Sequence, residues 1–233
     1  MGEEKVFIGK SLRVFLSYNT DDKKLAKPIK TGLEDYGLDV FLAHEDIVPC
    51  AEWETILFQT LKQTDIFMPL LTNNFRKSLW VDQETGIAIS DSKFVIPLKV
   101  DIDPYGFLSK YQALKVTYKT TVFEGVTYYF CPDLLLEILK IIRGKKEFQE
   151  NLKDCLIRSF VKSGSFESSS DIASFLDTYT EYSQEQINEI INGSISNPQI
   201  YKSFKTKRFL KKFISKYKSS IEAEKITELN GLF

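Results

Sequence analysis

The stretch SLWVDQETGIAIS, residues 78–90, sets an indole and a carboxylate four residues apart, at Trp80 and Glu84. On a helix both would project from one side. A carboxylate beside an aromatic ring in a cleft can offset positive charge that develops on a substrate. Asp82 is a rival acid, but two residues of separation put it on another face. Core packing for Trp80 and a solvated helix face for Glu84 are the ordinary alternatives. Ser17 and Tyr18 close an apolar run, LRVFLSY. Tyr18 there suits either a nucleotide contact or simple packing. Cys50 could suggest a thiol nucleophile, with His44 six residues away, but no orienting partner is evident. His44 is the one histidine of the chain, so a multi-His metal centre is impossible within it. Cys50, Cys131 and Cys155 are odd in number and widely spaced, which disfavours a disulfide scaffold and excludes a CxxC site. No metal and no resident cofactor are expected.

Those residues need elements to hold them. The first 100 residues alternate short apolar runs with helical patterns. The runs are LRVFLSY (12–18), LDVFLA (38–43), DIFMPLLT (65–72) and KFVIPLKV (93–100). Each is apolar on both faces, as a strand buried in a parallel sheet is. Residues 21–36 carry Leu25, Ile29 and Leu33 on one stripe, with Gly37 just past the end and Pro28 as a local conflict. Residues 52–64 place Trp53, Ile56, Leu57, Thr60 and Leu61 at helical spacing. The alternation predicts an α/β fold with right-handed crossovers. Ligands of such a sheet bind beyond the carboxyl ends of the strands. SYNTDD, AHEDIVPCAEW and TNNFRKSLW should meet there. None is glycine-rich, so a dinucleotide fold of the GxGxxG kind is excluded.

The composition changes near residue 147. EFQENLKDCLIRSFVKS, SSSDIASFLDTYT, SQEQINEIINGS and NPQIYKSFKTKRFLKKFISKY read as four helices. Ser183 and Gln186 form a capping box, Asn192-Gly193 ends one helix, and Asn197-Pro198 opens the next. Residues 202–218 hold eight Lys or Arg and no acid. Phe204, Phe209, Leu210, Phe213, Ile214 and Tyr217 interleave with them as an apolar stripe. A helix of this kind could meet nucleic acid or a membrane surface. Packing in a bundle with a solvated basic face is the expectation adopted here. The last residues, SSIEAEKITELNGLF, suggest a frayed helical tail. At 233 residues, 43% hydrophobic and 27% charged, with net charge -1, the chain has the composition of a soluble globular protein. It has no apolar run long enough for a signal peptide or a membrane span, so a cytoplasmic protein is expected.

Four blocks now carry a resemblance. RVFLSYNTDD, DVFLAHEDIVPCAEWETIL, TDIFMPLLTNNFRKSLWVDQETGIAI and FVIPLKVDIDPYGFL together resemble a bacterial or archaeal TIR (Toll/interleukin-1 receptor) domain over roughly residues 10–140. The resemblance implies a flavodoxin-like, doubly wound, five-stranded parallel sheet over 10–143. A small all-α module over 147–217 and a tail over 218–233 lie outside it. AHEDIVPCAEW corresponds to the family's BB loop, an assembly element. Enzymatic members cleave NAD at the nicotinamide–ribose bond and carry a W-x-x-x-E pattern in the helix after the third strand. Here Glu84 falls on the catalytic glutamate and Trp80 on the pocket aromatic. Ser17, Tyr18 and Glu45 are the further candidates for substrate contact, Glu45 on the adenosine side unless it merely solvates its loop. The activity implied is that of an NAD glycohydrolase or ADP-ribosyl cyclase, in prokaryotic antiviral defence or signalling. NAD is then the substrate. Self-association through TIR domains and the BB loop is implied, with another TIR-containing or defence protein as a further possible partner. No nucleic-acid or membrane partner is expected. The alternative is a non-catalytic adaptor that acts by TIR–TIR association. An enzyme acting on another nucleotide rests on fold analogy alone.

Overall fold

The computed structural model describes residues 11–42 and 53–233. The chain divides into two compact units. One holds residues up to Glu34 with Leu38–Gln149, the other Asp35–Gly37 with Glu150–Phe233.

The first unit is built on a parallel sheet. In chain order its main elements are β1 (Arg13–Ser17), α1 (Lys23–Asp35), β2 (Asp39–Leu42), α2 (Trp53–Gln63), β3 (Ile66–Leu71), α3 (Leu79–Ser90), β4 (Phe94–Val95), β5 (Leu98–Lys99) and β6 (Leu114–Lys115). The sheet order is β2-β1-β3, then β4 and β5 sharing the fourth position, then β6. All these pairings are parallel. The apolar runs become strands because both faces are covered: every residue of β3 is buried. Phe15 lies in register with Phe41 on one side and Phe67 on the other, at ring centroid distances of 5.3 and 6.0 Å. That row of three rings anchors the core against Leu57 and Leu61 of α2 and Val81 and Ala88 of α3.

The fourth run reads as one strand in the sequence and is split in the structure. β4 pairs with Ile66 and Phe67, and β5 with Leu70 and Leu71. Pro97 lies between the two pieces, and Pro69 lies opposite the gap in β3. Neither proline has an N–H to give, so the ladder breaks where they meet. In α1 the buried stripe is Ala26, Ile29 and Leu33, with Leu25 half-buried. Pro28 costs the helix one backbone bond without ending it.

Beyond β6 comes a hairpin that the sequence reading did not anticipate. β7 (Lys119–Phe123) and β8 (Val126–Phe130) pair antiparallel in a sheet of their own. Glu124 and Gly125 form its two-residue turn, with φ of 50° and 77°. Both positive angles match a type I′ turn, whose twist suits a tight hairpin. α4 (Pro132–Arg143) follows, with proline in its first turn.

The second unit is helical: α5 (Gln149–Val161), α6 (Phe166–Leu176), α7 (Gln184–Ser196), α8 (Pro198–Tyr201), α9 (Phe204–Lys216) and α10 (Ala223–Leu232). The Ser183–Gln186 capping box is present, and Asn197 caps α8 through Gln199 N at 2.9 Å. Three expectations are corrected. α7 does not end at Asn192-Gly193 but runs to Ser196. Gly193 is small for a packing reason, since a Cβ there would lie 2.3 Å from Val161 Cγ1 on α5. The last basic segment is two helices, α8 and α9, and the tail contains a third, α10. Phe209, Leu210, Phe213 and Ile214 are buried as the stripe requires, whereas Phe204 is exposed. Phe213 packs against Tyr182, and Phe209 against Phe160, both edge to face.

Candidate active site

Two turns at the carboxyl edge of the sheet set the position of α3. Asp22, buried at the start of α1, accepts from Thr72 Oγ1 at 2.5 Å and from Asn74 Nδ2 at 3.0 Å. Thr72 Oγ1 in turn accepts from Phe75 N at 3.0 Å, and Asn19 Nδ2 donates to Asn74 O at 2.9 Å. The turn after β1 is thereby tied to the turn after β3. Such a network is rigid because each polar member has a partner. It holds the first turn of α3 beside the end of β1.

The buried residues of α3 are Val81, Glu84, Thr85 and Ala88. Glu84 therefore lies on the inward stripe, with 1% exposure. Ser17, the last residue of β1 and fully buried, donates from Oγ to Glu84 Oε2 at 2.5 Å. Burial pushes the Glu84 carboxyl up from its ordinary 4.5 to about 7, against the opposing pull of the Ser17 hydrogen bond. A carboxylic acid poised near neutrality in a buried position is what acid–base or charge-stabilising chemistry uses.

Glu84 borders a cavity of about 400 Å³ between α2 and α3. Trp80 and Ile87 flank it from α3, and Glu54, Leu57 and Phe58 from α2. That volume falls within the range of small-molecule sites. Trp80 is half-buried. Trp80 and Glu84 thus both line this cavity.

The other candidates divide. Ser17 meets Glu84 directly. Tyr18 is 2% exposed and is not among the described residues that line the cavity, so its ring is placed in the core. Glu45, His44 and Cys50 lie outside the described residues, as does most of the BB loop segment. Asp82 is exposed and accepts from Tyr105 Oη at 2.8 Å, away from Glu84. Glu54 and Phe58 line the cavity and were missed by the sequence reading. Both fall off the apolar stripe of α2, and an exposed acid or ring on a helix carries no signal until the neighbouring helix is in place. Cys131 and Cys155 are buried thiols, and burial pushes the Cys131 thiol up to about 11, far from a reactive thiolate. Among the described residues no group of His, Cys, Asp or Glu could hold a metal ion.

Residues 14–126 match the family model described as TIR domain. These residues form a TIR domain. Its central sheet is parallel and flanked by helices, and the α-helical second unit follows it. Among solved structures, the TIR domain of the Toll-related receptor TRR-2 from Hydra magnipapillata is similar, with 20% sequence identity and a TM-score of 0.39. The alignment covers 44% of this chain and 82% of that one. No curated protein matches the chain. No helix among the described residues is long and apolar enough to cross a membrane.

Proposed function

We propose that this TIR domain cleaves NAD at the nicotinamide–ribose bond, with Glu84 as the catalytic carboxylate. The supporting observation is the buried Glu84 carboxyl, held by Ser17, in a cavity that it shares with Trp80. Breaking the bond develops positive charge on the ribose. A carboxylate beside that carbon offsets the charge, and the dry surroundings strengthen the effect. Glycosidases need a second carboxyl group because a sugar alkoxide leaves poorly. The nicotinamide of NAD is a pyridinium and leaves as a neutral molecule, so one carboxylate suffices.

In this reading Ser17 keeps Oε2 in place while Oε1 faces the ribose. Trp80 packs against the substrate. The cationic nicotinamide favours the ionised form of Glu84 once it is bound, so substrate prepares its own catalyst. NAD supply places the reaction in the cytoplasm, and a role in prokaryotic defence or signalling follows from the type of enzyme. Self-association through the BB loop completes the active assembly. The test is to incubate the purified chain with NAD over a range of protein concentrations and identify the products by chromatography and mass. Nicotinamide with ADP-ribose, or with a cyclic isomer, supports the proposal. NAD left intact at every concentration replaces it with the adaptor reading.

Ser17→Ala separates positioning from bulk structure. The lost bond favoured the charged carboxylate, so Glu84 should titrate higher still. The acid limb of the kcat/KM profile should move to higher pH, with the rate recovering toward wild type in alkaline buffer. A uniform drop with no displacement of the limb would assign Ser17 a merely structural role.

A further inference from the structure

The β7–β8 hairpin is amphipathic in the wrong sense for a ribbon resting on its own domain. Its register pairs Lys119 with Phe130, Thr121 with Tyr128 and Phe123 with Val126, which puts these six on one face. Thr120, Val122, Thr127 and Tyr129 make the other. Tyr129 is the half-buried member. It packs edge to face on Tyr118, at 5.8 Å between centroids, and Lys24 of α1 lies 6.0 Å from its ring. The Tyr129 end of this face therefore meets the domain, while Val122 nearer the tip is 67% exposed. The opposite face, with most of the aromatic side chains, is left in water. Phe123, Val126, Tyr128 and Phe130 are 63, 52, 45 and 47% exposed. A contiguous patch of this kind marks an interaction surface, and an unsupported two-stranded ribbon is marginal in water.

We propose that this face binds the same face of a second copy of the chain, in a two-fold dimer with the two hairpins running in opposite directions. The charges select that arrangement. Glu124 sits at the tip of the hairpin and Lys119 at its base. Tip over tip would set Glu124 against Glu124. Tip over base sets each Glu124 against the partner's Lys119, an isologous contact closed by one two-fold axis. Lys119 already meets Asp133 of its own chain at 3.0 Å and remains 64% exposed, so it has room for a second carboxylate. The acid at the tip argues against insertion into an anionic membrane, whose negative surface potential repels it. The four apolar side chains with Lys119, Thr121 and Glu124 at the rim would bury roughly 1,000 Å² over two copies, the low end of specific interfaces, so the dimer is weak and concentration-dependent. This surface is separate from the Glu84 cavity, and the proposal does not depend on the chemistry there.

Sedimentation of the full chain tests it. Wild type should pass from monomer to dimer with a micromolar dissociation constant. Phe123→Asp and Tyr128→Lys should each weaken that constant at least tenfold while leaving the melting temperature of the monomer, read at concentrations below that constant, unchanged, because both side chains are exposed there. Glu124→Lys should weaken it too, and Lys119→Glu in the same chain should restore it. Carbodiimide treatment of mixed light- and heavy-isotope chains should yield hybrid peptides joining Glu124 to Lys119. A chain that stays monomeric up to ~100 μM, where even transient interfaces register, overturns the proposal. So does a dimer indifferent to both Phe123→Asp and Tyr128→Lys. Binding of the monomer to phosphatidylserine vesicles that is lost in Phe123→Asp would reassign the face to a membrane and overturn it as well.

Discussion

Glu84→Gln should lower the rate of NAD cleavage by roughly two to three orders of magnitude, a loss of about 3 to 4 kcal/mol in transition-state stabilisation. The substitution keeps the shape of the side chain. Ser17 can still donate to the amide oxygen, so the geometry at the end of β1 survives. What disappears is the negative charge opposite the ribose. Because that charge matters most in the transition state, kcat should fall far more than KM rises. Asp82→Asn is the matched control. Its carboxylate lies at the surface with Tyr105, whose hydroxyl can donate to an amide oxygen equally well, so the rate should hardly change. Nicotinamide release by the three proteins at equal concentration provides the comparison. Near-wild-type turnover by Glu84→Gln would remove Glu84 from the catalytic role.

The same substitution should stabilise the fold above neutral pH. Burial raises the Glu84 carboxyl from 4.5 to about 7, so the folded chain holds its proton where the unfolded chain has lost it. Stability from this group is fully present below about pH 4.5. It is lost as pH rises through about 7, and amounts to about 3 kcal/mol in all. Glutamine mimics the protonated acid at every pH. Glu84→Gln and wild type should therefore melt together near pH 4, while at pH 8 the variant should melt higher by roughly 6 to 12 °C. Equal melting temperatures at both values would mean that Glu84 is not desolvated as described. The two outcomes belong together: if Glu84 is catalytic as proposed, a carboxylate is kept where the fold would prefer a neutral group, and activity trades against stability.

The sheet was legible because its strands are buried on both faces. A run such as DIFMPLLT admits few other readings between two helical patterns. The fourth strand was legible as one strand but not as two, since the break needs Pro69 and Pro97 to be neighbours and only the fold makes them so. In α7 a glycine following asparagine looks like a helix end, yet Gly193 is explained by Val161 of a different helix. The hairpin was missed although VFEGV carries a turn dipeptide between β-branched and aromatic residues, the pattern of a two-residue loop. At the site, Trp80 and Glu84 were legible as a pair through helical spacing. Ser17 was legible as a strand end and not as the donor to Glu84, because that bond joins residues 67 positions apart. Tyr18 was legible as the residue after the strand, with a nucleotide contact and simple packing both open, and its burial in the fold accords with packing.

Nicotinamide release from NAD, followed from pH 5 to pH 9 with wild type at its most active protein concentration, tests the central claim most directly. The account expects kcat/KM to rise with pH on a single ionisation near 7, the value to which burial lifts Glu84, and expects Glu84→Gln to show a low, flat line across the range. A wild-type profile that is flat through neutrality, or one whose ionisation persists in Glu84→Gln, would contradict it.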